Sequence, residues 1–233
     1  MSGALLRVQA YEAIVERLVF RRLMPGQFVT QRELVELCQL PLSAIREAIP
    51  RLEADGLIVS LHQRGLQIAG IDVRFVRNAY RLRRILESEA ASEAALRAPL
   101  DFLERVEGDH QAILARIDDP LPEVVAEEAQ RIDWAMHEAL IGFLDNELAG
   151  EVYRVNSIKV RMASQQRLRV TGANIERVML EHMTIIEALK ARDAPASVAA
   201  VRKHIDRSMR VALGLEDDAA ARLPGDVPAI QEA

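Results

Sequence analysis

The chain has one cysteine, Cys38, so an internal disulfide is excluded and a reducing cytosol is the expected setting. No charged-then-apolar leader opens it. No apolar run reaches the roughly 18 residues that a membrane-spanning helix requires. The sequence therefore predicts a soluble cytoplasmic protein that does not engage a membrane. Also missing are a Gly-rich phosphate loop, a nucleophile motif and the His-Glu-x-x-His signature of zinc proteases. No internal repeat appears, and past Val73 there is no strand-like alternation.

What is present is 233 residues, half of them apolar, enough for one large or two small domains. The net charge of −5 does not announce a polyanion-binding protein, but it is unevenly spread. Residues 1–70 hold 8 Arg, no Lys and 7 acids, for +1; the rest holds 22 basic and 28 acidic residues, for −6. This asymmetry permits an N-terminal DNA module without demonstrating one.

The first 70 residues predict three short helices and a hairpin. A stripe of Leu5, Leu6, Val8, Tyr11, Ile14, Val15, Leu18 and Val19 predicts a helix over 4–23, stopped by Met24-Pro25-Gly26. Thr30 with Glu33 forms a capping box for a second helix carrying Leu34, Val35 and Leu37. A third runs from about Leu42 to Ala54 and buries Ile45, Ile49 and Leu52. Pro41 starts it harmlessly, whereas Pro50 inside it should kink it. Residues 57–61 and 66–69 read as strands joined by the turn His62-Gln63-Arg64-Gly65. The order is that of a winged helix-turn-helix, which fits DNA binding better than a pure protein-contact role.

Leu23-Met24-Pro25-Gly26, Gln31-Arg32-Glu33-Leu34, Ile45-Arg46-Glu47-Ala48-Ile49, Arg51 through Ile58 and Gly65 resemble the N-terminal domain of GntR-family transcription regulators. The match covers about residues 10–69. It implies a third helix in the major groove and a wing on the backbone or minor groove. By position, Arg32, Ser43 and Arg46 would touch DNA, with Gln63, Arg64 and Gly65 at the wing tip. The family usually places a small hydroxyl residue and then Arg ahead of the recognition helix. Here Pro41 and Leu42 stand instead, so one customary groove-facing Arg is missing.

After the linker Gly70-Ile71-Asp72, helices are predicted over 73–97, 100–117, 121–143, 146–170, 173–192 and 195–214. The tail, 216–233, reads as disordered. Within the third of these helices, Asp133 and His137 lie four apart on one face, beside Ile132, Met136 and Leu140. An Asp and a His aimed into an apolar interior need partners there. His182 and His204, each in its own apolar helical pattern, are candidates. Their separation of 22 residues puts them at similar heights on antiparallel neighbouring helices. One carboxylate and three imidazoles suit a divalent metal, zinc first, with Ni2+ or Mn2+ as alternatives. Taken singly, Asp133 with His137 also reads as an ordinary i,i+4 pair, and His182 and His204 as satisfied histidines. His110 fits no motif and is expected at the surface, and His62 is expected to be a solvated turn residue.

Tyr80 through Glu87, Asp133-x3-His137, Glu181-His182 and His204 resemble the FCD effector domain of the FadR subfamily of those regulators. The resemblance covers about residues 73–214 and implies Asp133, His137, His182 and His204 as metal ligands. It puts Arg83 where the family often has an arginine facing an effector, since a planar fork suits a carboxylate. Arg161 is a weaker candidate. The expected fold is mainly α: a winged helix-turn-helix domain over 1–70 and an antiparallel all-α bundle over 71–215. The expected function is a non-enzymatic bacterial regulator, a repressor acting as a homodimer on a palindromic operator in double-stranded DNA. It would sense a small organic acid in a metal-containing pocket. The alternatives are a small metal-dependent hydrolase and a metal-scaffold interaction protein.

Overall fold

Helix α1 (Gly3–Val19) opens the structure, a computed structural model that describes residues 3–118, 122–165 and 172–215. The predicted first helix was to run to Leu23, but α1 ends sooner. Arg21 takes a left-handed φ of 56°, and the amides of Arg22 and Leu23 turn back to the Arg17 carbonyl at 2.8 and 3.0 Å. That turn satisfies carbonyls at the helix end and lets Leu23 drop fully into the core.

A two-residue strand that the sequence reading missed, β1 (Phe28–Val29), precedes helix α2 (Gln31–Cys38). The Thr30 hydroxyl accepts from the Glu33 amide at 3.2 Å, and the Glu33 carboxylate accepts from the Thr30 amide at 2.6 Å. This is the predicted capping box. Helix α3 (Leu42–Ala54) starts directly after Pro41 and is helical through Pro50, whose ring lies on the exposed side. Strands β2 (Ile58–Leu61) and β3 (Gly65–Ile68) form the wing, and the antiparallel sheet has the order β1-β3-β2. Gly65 needs its glycine: φ is +83°, and a Cβ would sit 3.1 Å from the Val29 carbonyl oxygen.

Six further helices follow the wing with no strand between them among the described residues: α4 (Val73–Arg97), α5 (Leu100–Leu114), α6 (Pro122–Gly142), α7 (Glu147–Gln165), α8 (Gly172–Lys190) and α9 (Ala194–Ala212); in the N-terminal part α1 packs against α3. Each of the last six lies close to its predicted span. The expected disordered tail, and the predicted helix beyond Gln165, lie outside the described residues. The described chain divides into two units. The first comprises 3–79 with 154–165, the second 80–118, 122–153 and 172–215.

The first unit closes over Ile14, Leu18, Leu34, Ile45, Leu52, Leu57 and Ile68, all buried. These are the apolar positions of the helical stripes and of one strand face. The Tyr11 hydroxyl, also buried, donates to Asp55 and accepts from Arg154 at 3.0 Å, while Arg51 lies over the Tyr11 ring at 4.5 Å. The second unit packs α8 against α5, α6 and α9. Ile113, Val125, Ala129, Ile175 and Met179 fill one part of its core. On α4, Ala90, Ala91, Ala94 and Ala95 are wholly buried, a small-residue stripe that permits close helix approach.

Candidate functional site

Helix α6 presents Asp133 and His137 one turn apart, α8 presents His182 and α9 presents His204. One ligand-type atom from each of the four lies within 4.8 Å of all the others. His182 Nε2 is 3.3 Å from Asp133 Oδ1 and 3.4 Å from His204 Nε2. His137 Nε2 is 3.6 Å from Asp133 Oδ1, too long for a hydrogen bond. It is buried without any hydrogen-bond partner. Three imidazoles therefore turn the same nitrogen toward one point beside a carboxylate. Such crowding of buried acceptors is costly unless something positive sits among them. Oxygen and nitrogen donors in this set fit a divalent metal of the zinc type.

The far side of each ring is also held. His137 Nδ1 is 2.7 Å from Glu87 Oε2, and His204 Nδ1 is 2.8 Å from Glu181 Oε2. His182 Nδ1 is 2.9 Å from His110 Nε2, and His110 Nδ1 is 2.7 Å from the Val106 carbonyl oxygen. Outer partners of this kind fix ring orientation and leave the inner nitrogen for a metal. Glu181 is in turn held by Arg177 at 3.0 Å and Arg207 at 2.9 Å.

Glu87 has the densest environment. It is fully buried on α4 and accepts from Arg83 Nε at 2.7 Å, the Tyr153 hydroxyl at 2.8 Å and His137. Burial alone would push its carboxyl up, but Arg83 and His137 outweigh that and hold it at about 2. The neighbouring Glu87 keeps the buried Arg83 guanidinium firmly charged against the opposing effect of burial. His182 is pushed well below the usual histidine range by burial and by the other imidazoles. His204 is lowered too, chiefly by burial, with Glu181 opposing. His137 goes the other way: burial and Arg83 lower it, but Glu87 and Asp133 together raise it. Asp133 is lowered, the pull of His137 and Arg83 exceeding the cost of burial.

Of the residues singled out in the sequence, the four candidate ligands come together and Arg83 stands beside them through Glu87. Arg161 lies on the part of α7 that belongs to the first unit, whereas the cluster belongs wholly to the second. The surface position expected for His110 is wrong: it is 0% exposed. The signal was there, because Leu103, His110 and Ile113 share the buried face of α5. Glu87 and Glu181 were read only as parts of longer matches, and nothing in their spacing announced that they back two histidines.

In the first unit, Arg32, Ser43 and Arg46 are exposed, and Arg46 Nε donates to Gln31 Oε1 at 2.9 Å. Gln63 and Arg64 are exposed in the β2–β3 turn, where Gln63 takes a φ of 62°, and Gly65 is exposed at the start of β3. His62 is exposed, as expected.

Residues 6–68 match the family model described as bacterial regulatory proteins, gntR family, and residues 78–207 match the model described as FCD domain. The chain is 26% identical to the uncharacterized HTH-type transcriptional regulator YdhC of Bacillus subtilis over 205 residues, covering 85% of this chain and 87% of that protein. It is 24% identical to the Nta operon transcriptional regulator of Aminobacter aminovorans over 196 residues, 82% and 88% of the two chains. In fold it is similar to McbR/YncC of E. coli, with a TM-score of 0.75 at 16% identity over 92% of this chain and 99% of that one. A GntR regulator structure from Rhodococcus sp. RHA1 matches with a TM-score of 0.72 at 15% identity, over 91% and 99%. These relatives are transcription regulators, not enzymes, which sets the hydrolase alternative aside. No described helix is long and apolar enough to cross a membrane. With a winged helix-turn-helix ahead of an all-helical domain, both matched by their family models, the chain belongs to the GntR family of DNA-binding transcription regulators and carries an FCD domain.

Proposed function

We propose that the protein is a metabolite-responsive repressor that senses a small organic acid at a metal site in its helical domain. One observation carries this: three imidazole Nε2 atoms and a carboxylate converge, with His137 Nε2 left without a hydrogen-bond partner. Asp133, His137, His182 and His204 would hold the ion, zinc first, with Ni2+ or Mn2+ as alternatives. When bound, the ion supplies a Lewis-acid position for an oxygen of the acid. Arg83 uses Nε on Glu87, which leaves the two amino ends of its fork for the acid's carboxylate. Arg161, in the other unit, has no part in this reading.

On the DNA side, Arg32, Ser43 and Arg46 meet the major groove and Gln63, Arg64 and Gly65 the backbone or minor groove. Two copies reach the half-sites of a short palindrome as a homodimer in the cytoplasm. Working boundaries are 1–70 for the DNA-binding domain, 71–215 for the sensing domain and 216–233 for the tail. The acid changes operator affinity only by favouring one arrangement of the dimer over another.

The test combines two measurements on purified protein. Elemental analysis is expected to find about one divalent metal per chain, lost on replacing His204 by Ala. A thermal-shift screen over organic acids should find stabilisers of the metal-loaded form that stabilise the chelator-treated form less. A metal-free protein whose operator binding ignores every acid that stabilises it would overturn the proposal.

A further inference from the structure

We infer that His110 is a positioning residue for the proposed metal site: it dictates which nitrogen of His182 faces the other ligands. The inference rests on the metal reading above and extends it to a residue that is not a ligand.

The argument is one of donors and acceptors. His110 is wholly buried on α5, and its Nδ1 lies 2.7 Å from the Val106 carbonyl oxygen one turn earlier. A carbonyl only accepts, so the proton is on His110 Nδ1. In a neutral imidazole the other nitrogen is then an acceptor. His110 Nε2 lies 2.9 Å from His182 Nδ1, so that contact is satisfied only if His182 Nδ1 donates. With its proton on Nδ1, His182 shows a lone pair at Nε2. That is the atom 3.3 Å from Asp133 Oδ1 and 3.4 Å from His204 Nε2.

The opposite arrangement fails locally. A proton on His182 Nε2 would leave lone pairs of two imidazoles facing each other at 2.9 Å in a buried setting. It would also put a proton where a metal must bind. The relay therefore runs from His182 through His110 to a backbone carbonyl that helix α5 holds in place.

The relay sets His182 apart from the two other histidine ligands. His137 is backed by the Glu87 carboxylate and His204 by the Glu181 carboxylate. An anionic backing accepts a proton from the ring by charge as well as by geometry. His182 alone depends on a neutral group whose own tautomer is imposed from one step further out. Replacing that group with a side chain of similar bulk but no acceptor should free His182 to turn its proton inward.

The test uses the full chain. Long-range 1H–15N correlation spectra of the chelator-treated wild type should show both His110 and His182 protonated at Nδ1, the less common tautomer of histidine in water. Zn2+ affinity is then measured by competition with a chromophoric chelator for wild type, His110→Phe and His110→Gln. His110→Phe keeps bulk and ring but offers no acceptor, so affinity should fall about 10- to 100-fold. His110→Gln offers a carbonyl to His182 Nδ1 and should stay within a few fold of wild type. If His182 carries its proton on Nε2 in the wild type, or if His110 is doubly protonated, the inference is overturned. It is equally overturned if His110→Phe binds Zn2+ as well as wild type, or if Gln is as damaging as Phe, since either result means that His110 only fills space. A wild type with the expected tautomers that takes up no Zn2+ would instead sink the metal reading and leave the hydrogen-bond order standing.

Discussion

Replacing Glu87 by Gln tests the centre of the helical domain with almost no change in shape. Glu87 is fully buried and accepts three hydrogen bonds, from Arg83, Tyr153 and His137. Its carboxyl is held at about 2 against an ordinary 4.5, and each unit of such a shift corresponds to about 1.36 kcal/mol. The ionised form is therefore favoured by about 3 kcal/mol, in line with the roughly 3–5 kcal/mol lost when one partner of a buried ion pair is removed. For a domain of this size that is about 6–12 °C in Tm. Gln also has a specific defect. Its carbonyl can serve Arg83 and Tyr153, but its amide then faces His137 Nδ1, donor against donor. His137 is relieved only by moving its proton to the inner nitrogen, so Zn2+ affinity should fall about 10- to 100-fold as well. Two assays separate these effects: thermal unfolding in chelator and Zn2+ competition. The sign with pH is set by the lowered carboxyl. Wild type keeps the Glu87 contribution above about pH 4.5 and loses it as the pH falls toward 2, whereas the Gln variant should lack that dependence. A Glu87→Gln protein with wild-type Tm in chelator and wild-type Zn2+ affinity would refute this account of Glu87.

Other outcomes follow from the same contacts. Arg46→Ala should weaken operator binding in a sequence-dependent way, by about 1–3 kcal/mol if it reads a guanine; a titration with a folded variant and unchanged affinity removes it from the interface. Chelator-treated protein should lose stability as the pH drops below about 6.5, because burial lowers His182, His204 and His110 and neutral rings must charge on unfolding, with the raised His137 opposing; flat stability between pH 7 and 5 would contradict this. Tyr11→Phe removes the hydroxyl shared by Asp55 and Arg154 and should cost the first unit about 1 kcal/mol, read by denaturant midpoint. Arg83→Lys keeps the charge beside Glu87 but not the fork, so it should fold and bind Zn2+ while losing most of its response to an acid that stabilises the wild type.

The elements were legible where one local rule decides them. Thr30 with Glu33 fixes the start of α2, Pro41 the start of α3, and the apolar stripes mark most of the buried helix positions, although Leu5, Val8 and Leu37 are exposed. The end of α1 was not legible, because the expected helix ran on to the Met24-Pro25-Gly26 stop, whereas Arg21 takes a left-handed conformation before it. β1 was also missed, since two residues carry no alternation and pair only because β3 lies alongside. At the site, the four ligand-type residues were legible because Asp and His are rare in apolar stripes. Their backing was not. Glu87 lies 50 residues from His137, and His110 lies 72 from His182, and no spacing rule spans such distances. His110 was misplaced because a lone histidine without a motif was taken for a surface residue, although its helix position put it on the buried face.

Glu87 joins the two halves of the proposed site. One of its oxygens takes Arg83 and Tyr153, and the other takes His137. An acid carboxylate arriving at the Arg83 fork would draw positive charge away from Glu87. Glu87 would then become a better acceptor for His137 Nδ1 and make that ring a stronger metal ligand. The reverse holds as well: an ion at His137 Nε2 would draw electron density from the ring toward itself, sharpen its donation to Glu87 and loosen the grip of Glu87 on Arg83. By linkage the two effects must be equal, so acid and metal should each raise the affinity for the other by the same factor. A sensor built this way would respond to acid more strongly in a metal-loaded domain than in a metal-free one, and the buried carboxylate between the two proposed sites would set how strongly they are coupled.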